Sequence, residues 1–121
     1  MRNPRLTVTL AAIAALLTAA LVVGGVALAA TPSKADMTAG KKIFTSAGCG
    51  KCHTLTAAKA HGTVGPNLNT VKPALGLIVT QVTDGGRFMP PFGKAQGGSL
   101  SPTQVKQVAA FVYGAEHHLI S

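Results

Sequence analysis

Tryptophan is absent from this 121-residue chain, tyrosine occurs once, as Tyr113, and phenylalanine four times. So few rings leave little bulk for a core. The shortage is sharper after Ala35, where only 86 residues remain, a small length for a domain that must bury its own apolar surface. Acidic residues number three against 11 lysines and arginines, for a net charge of +8. Cysteine occurs twice, at Cys49 and Cys52, so no disulfide framework is available. Neither cysteine lies near residue 30, which excludes a lipid-modified anchor there. No internal repeat appears, and no alternation of strand and helix suggests a βαβ unit.

The two cysteines stand in Cys49-Gly50-Lys51-Cys52-His53, a C-x-x-C-H pattern that is the attachment signature of a c-type haem. Two thiols three positions apart each add across a vinyl group of one porphyrin, and His53 follows as proximal ligand to the iron. Other chemistries for the pair are weaker. A disulfide between Cys49 and Cys52 would close a tiny loop and stabilise little. A dithiol redox pair wants a βαβ context. A zinc site would need a further ligand such as His61, and structural sites usually supply a second close-spaced pair. A covalent porphyrin would also provide the apolar centre that the composition lacks.

The N-terminus has the layout of an export segment. Arg2 and Arg5 precede Leu6–Ala30, 25 residues without a charge. Ala27-Leu28-Ala29 and Ser33-Lys34-Ala35 both have the small-x-small form of a cleavage site. The run is longer than an ordinary signal core and long enough to span a bilayer. Residues 1–35 are therefore expected to be a signal peptide or a retained membrane anchor with a short linker, and residues 36–121 the functional domain. Either way the domain works outside the cytoplasmic membrane, in the periplasm or on the membrane's outer face.

Within the domain, Asp36–Ala47 reads as a helix capped by Asp36, with Gly40, Phe44 and Ala47 on one face. Thr54–Lys72 reads as loop with little regular structure. In it, Gly65-Pro66-Asn67-Leu68 offers the Pro66 carbonyl as an acceptor for the His53 ring N–H, and Leu68 as an apolar contact. Pro73–Thr83 is expected to be a helix opened by Pro73, with Leu75, Ile78, Val79 and Val82 buried. The last helix should start at Ser101, with Pro102 in its first position and Gln104 completing a capping box, and run to about Tyr113 or beyond. Its inner face is Val105, Val108, Ala109 and Val112.

The opposite side of the iron needs a ligand, water or nothing. Met89 is the best candidate. It lies 36 residues after His53, in a segment stiffened by Pro90 and Pro91 between two helices. A methionine is ordinarily flexible core filler, and His61 is the rival ligand. A His/Met pair saturates the iron and favours electron transfer over oxygen chemistry.

Taken in order, Gly40-Lys41-Lys42-Ile43-Phe44, Cys49 to His53, Gly65-Pro66-Asn67-Leu68, Met89-Pro90-Pro91-Phe92 and Leu100-Ser101 with Val108 to Val112 resemble a class I monohaem cytochrome c of the small bacterial or photosynthetic type. The likeness covers about Ala39 to Gly114. It implies an all-α fold of three to four short helices wrapped around one covalent haem. It implies thioethers at Cys49 and Cys52, axial ligands at His53 and Met89, and a Pro66 carbonyl that orients His53. It also implies a crossing of the terminal helices at Gly40, Phe44, Val108 and Phe111. The absence of Trp departs from the long mitochondrial form and leaves the propionate partners open, with Arg87 and Lys72 as candidates.

From Ala30 onward 9 basic residues face 3 acidic ones, a charge of +6. For an exported protein this suits an acidic docking patch on a redox partner, or an anionic membrane surface, better than nucleic acid. The expected function is a monomeric single-electron carrier between membrane-associated redox complexes, with no substrate bond made or broken. The alternatives are a haem c subunit of a larger oxidoreductase and, behind it, an open-site catalytic or gas-sensing haem protein.

Overall fold

A computed structural model describes residues 30–120. Residues 1–29 of the expected export segment, residues 1–35, lie outside the described residues. Three α-helices make the frame: α1 (Lys34–Ser46), α2 (Leu75–Asp84) and α3 (Pro102–Glu116). None of the described helices is long and apolar enough to cross a membrane. The described residues are mostly helical, with one small two-stranded sheet, in keeping with the all-α expectation.

Helix α1 starts two residues earlier than the Asp36 start read from the sequence. Its cap is Ser33, not Asp36: the Ser33 hydroxyl accepts from the Asp36 backbone N–H at 3.1 Å and donates to the Asp36 carboxylate at 2.6 Å. A serine cap with an acid three residues on satisfies two groups at the helix end, which one aspartate could not. Gly48, at φ 77°, turns the chain out of α1 and into the cysteine segment.

Helix α3 has the capping box read from its sequence. Ser101 accepts from the Gln104 N–H, and the Gln104 side chain accepts from the Ser101 N–H. The helix continues to Glu116. Helix α2 begins at Leu75 behind Ala74, so Pro73 stands outside it rather than in its first position. The cap is Ala74, in extended backbone at φ −61° and ψ 146°, which leaves Pro73 one position outside the helix. Ile78 and Val82 of α2 are buried, with Leu75 and Val79 half-buried on the same face.

The stretch 54–72 is more ordered than a plain loop. Strands β1 (Thr54–Leu55) and β2 (Ala60–His61) pair antiparallel, Thr54 opposite His61 and Leu55 opposite Ala60, around a 3₁₀ turn at Thr56–Ala58. Two-residue strands carry no periodicity, so nothing in the residue pattern marks them.

The core is where α1 and α3 cross. Phe44 meets Phe111 edge-to-face, with centroids 5.7 Å apart and planes at 70°, a pairing worth about 0.5–1.5 kcal/mol beyond its buried area. Gly40 lets the backbones touch: a Cβ there would run into the Gln107 carbonyl and lie 2.8 Å from the Phe111 Cβ. Val105, Val108, Ala109 and Val112 of α3 are buried against this crossing, together with Leu55, Ile78, Val82 and Leu100.

Candidate functional site

The cysteine segment follows directly from α1. Cys49–Lys51 forms one 3₁₀ turn, held by Lys51 N–H to the Gly48 carbonyl at 3.0 Å and by Cys52 and His53 N–H to the Cys49 carbonyl at 3.2 and 3.0 Å. The turn therefore puts both thiols and the His53 ring into one compact unit. Both cysteines are free thiols, so the disulfide reading fails in this structure. Burial raises the Cys49 thiol above its ordinary pKa, with a smaller push from Cys52. Among the described residues no three His, Cys, Asp or Glu side chains converge to hold a metal ion. His61, the rival ligand, is exposed on β2.

His53 Nδ1 lies 2.8 Å from the Pro66 carbonyl oxygen. A carbonyl only accepts, so the ring proton is on Nδ1 and the Nε2 lone pair is left for a metal. The loop that brings Pro66 there is pinned along its length. Gly62 N–H donates to the His53 carbonyl at 3.2 Å, Gly65 N–H to the Cys52 carbonyl at 2.7 Å, and Leu68 N–H to the Thr54 carbonyl at 2.9 Å. Thr54 Oγ1 donates to the Gly62 carbonyl at 2.8 Å. Farther on, Asn69 Oδ1 accepts from the Thr56 N–H at 2.9 Å, and Asn67 Oδ1 accepts from the Asn69 N–H at 3.0 Å. Gly65 lies flat against the imidazole; a Cβ there would be 2.8 Å from Nδ1 and 3.0 Å from Nε2.

Met89 is on a separate strap between α2 and a 3₁₀ turn at Lys94–Gln96. A reciprocal pair of bonds, Gly86 N–H to the Met89 carbonyl at 2.8 Å and Met89 N–H to the Gly86 carbonyl at 2.7 Å, closes a tight hairpin. At its tip Arg87 takes a left-handed φ of 48°, and its guanidinium lies 5.9 Å from the Phe88 ring centroid. Beyond Met89 the strap is tied down by Phe92 N–H to the Val82 carbonyl and Leu100 N–H to the Phe92 carbonyl, and by Gln96 Nε2 to Asp84 at 3.0 Å.

Leu68, Leu75, Val79, Met89, Phe92 and Cys49 pack on the core yet stay partly exposed. Partly exposed apolar side chains of this kind are what a flat, largely apolar ring system would cover. Two thiols in one turn, an imidazole whose Nε2 lone pair is free, and this uncovered apolar surface together fit a covalently held porphyrin. Residue reasoning missed Gly65 as a contact of the ring, and it missed Glu116, which is buried at the end of α3. Glu116 had a signal: it stands four residues after Val112, on the apolar face of α3. Lys72, a candidate propionate partner, is close enough to Glu116 to act on its carboxyl.

Comparison with known proteins agrees with this geometry. Residues 35–112 match the family described as cytochrome c oxidase, cbb3-type, subunit III. A cytochrome c6 from Rippkaea orientalis is 37% identical over 82 residues, spanning 64% of this chain and 68% of that protein. The crystal structure of the c-type cytochrome SorU from Sinorhizobium meliloti superposes with a TM-score of 0.62 at 32% identity, covering 69% of this chain and 94% of SorU. The fold, the cysteine turn and these likenesses converge: the chain belongs to the cytochrome c family matched at residues 35–112, and is a small monohaem cytochrome c with one covalently bound c-type haem.

Proposed function

We propose that the protein is a single-electron carrier whose haem iron is closed on both faces, by His53 and Met89, and that it works outside the cytoplasmic membrane. The group supplies one-electron chemistry when bound; the chain supplies attachment, orientation and ligands. Cys49 and Cys52 anchor the ring, Pro66 fixes the tautomer and direction of His53, and Leu68 covers ring surface. The observation that carries the reading is the pair of neutral donors in fixed settings: an imidazole bonded at 2.8 Å to a proline carbonyl, and a thioether in a hairpin closed by two bonds. Such donors leave no coordination position for a substrate. The sequence pattern of residues 1–35 supports export, with cleavage or retention as an anchor, and residues 36–121 as the working domain. The excess of lysine supports acidic redox partners rather than nucleic acid, met by a monomer.

A second reading, a haem subunit fixed in a larger oxidoreductase, is favoured by the family description, which names an oxidase subunit. Electron exchange with an acidic redox protein in stopped flow separates the two. A carrier gives a rate proportional to partner concentration. That rate should fall several-fold as salt rises from about 0.01 to 0.15 M, when the screening length shrinks from about 30 to 8 Å. Neutralising Lys51 or Lys94 should flatten the dependence. A rate indifferent to both concentration and salt would favour the fixed subunit.

A further inference from the structure

Two of the three carboxylates are accounted for by local bonds, Asp36 to Ser33 and Asp84 to Gln96. Glu116 is different. It is the last residue of α3, only 2% exposed, and among the described residues neither carboxylate oxygen has a hydrogen-bond partner. An ionised carboxylate there lacks water and donors, and it faces the negative end of a helix. A neutral acid suffers far less.

The turn that follows closes over this end of α3. His117 N–H bonds to the Tyr113 carbonyl at 3.0 Å, and the His117 ring stacks on Tyr113 with centroids 4.1 Å apart. His118 takes a left-handed φ of 55°, and Leu119 N–H returns to the Gly114 carbonyl at 2.8 Å. From α1, the Met37 side chain packs on Gly114. Among charged groups, the Lys72 ammonium from the loop before α2 acts on the carboxyl, while His117 and His118 are exposed neighbours in sequence.

We propose that Glu116 is a proton-binding site that latches the C-terminal turn: in its neutral form residues 114–120 close over the end of α3, and loss of the proton to water leaves a carboxylate that opens the turn to be hydrated. Burial pushes the Glu116 carboxyl up from 4.5 to about 7, against the opposing pull of Lys72. A folded value above the unfolded one means that the closed turn is most stable below pH 4.5. Stability is lost as pH rises from 4.5 to about 7, and levels off above that. The latch is independent of what binds the iron.

Amide hydrogen exchange by NMR on the full-length holoprotein tests the latch, with the Glu116 carboxyl carbon shift followed over the same pH series. The carboxyl should titrate near 7, and protection at residues 115–120 should fall about tenfold or more between pH 4.5 and about 7 and level off above, after correction for intrinsic exchange. Glu116→Gln should hold the turn closed at every pH. Lys72→Gln should move the midpoint to higher pH, because a group favouring the charged form is gone. A double variant, His117→Asn with His118→Asn, should leave the carboxyl midpoint in place. A carboxyl that titrates near 4.5, or a pH-dependent opening that persists in Glu116→Gln, overturns the proposal.

Discussion

His53 shows how little freedom the central residue has. Its Nδ1 proton is committed to the Pro66 carbonyl, and Gly65 lies against the ring face, so position and tautomer are set together. A methyl at residue 65 would press on the ring. Gly65→Ala should lengthen the bond to Pro66 and make the imidazole a poorer donor. The oxidised iron then loses stabilisation, and the reduction potential should rise; potentiometric titration reads this, and an unchanged potential would remove the role given to Pro66. The Cys49, Cys52 and His53 motif was legible in the sequence, as was the Pro66 carbonyl that His53 meets, because their chemistry is bound to order and spacing. Gly65 was not, because a glycine beside a proline reads as a turn until the ring it touches is seen. Glu116 was missed: its spacing from Val112 points to the buried face of α3, but a carboxylate ordinarily belongs at the surface.

At the scale of elements, the helices whose ends carry explicit chemistry were read best. Ser101, Pro102 and Gln104 mark the start of α3, and each does in the structure what its type suggests. Where two residues compete for one task the reading slipped: Ser33 took the cap assigned to Asp36, and Ala74 displaced Pro73 at the start of α2. Strands β1 and β2 are products of the loop's tertiary bonds, not of local preference. The crossing of α1 and α3 depends on Gly40, where the Gln107 backbone occupies the space of a side chain. Gly40→Ala should separate the helices and disturb the Phe44–Phe111 pair, costing about 1–3 kcal/mol. Denaturant unfolding of the holoprotein measures this; a variant as stable as the parent would mean the helices cross with room to spare.

For the whole molecule, the scarcity of aromatics and the partly exposed apolar side chains on the core have one explanation. The chain makes only part of a core, and the porphyrin supplies the rest. Large apolar side chains also remain open to solvent, among them Phe88 at 80% and Val64 at 69% exposure. On the proposed reading, a +8 chain with so few acids would keep copies of itself apart by charge while its lysines meet an acidic partner. This combination suits brief encounters, where electrostatics guide approach and no substrate need enter. The central claim is that Met89 closes the iron opposite His53. The most direct measurement is the optical spectrum of the oxidised holoprotein beside that of Met89→Ala, followed by carbon monoxide added to the reduced forms. The account predicts a weak red sulfur-to-iron charge-transfer band in the parent and none in the variant, with carbon monoxide bound by the variant alone. A parent without the band that binds carbon monoxide readily would contradict it, and would make the protein an open-site haem protein instead of a carrier.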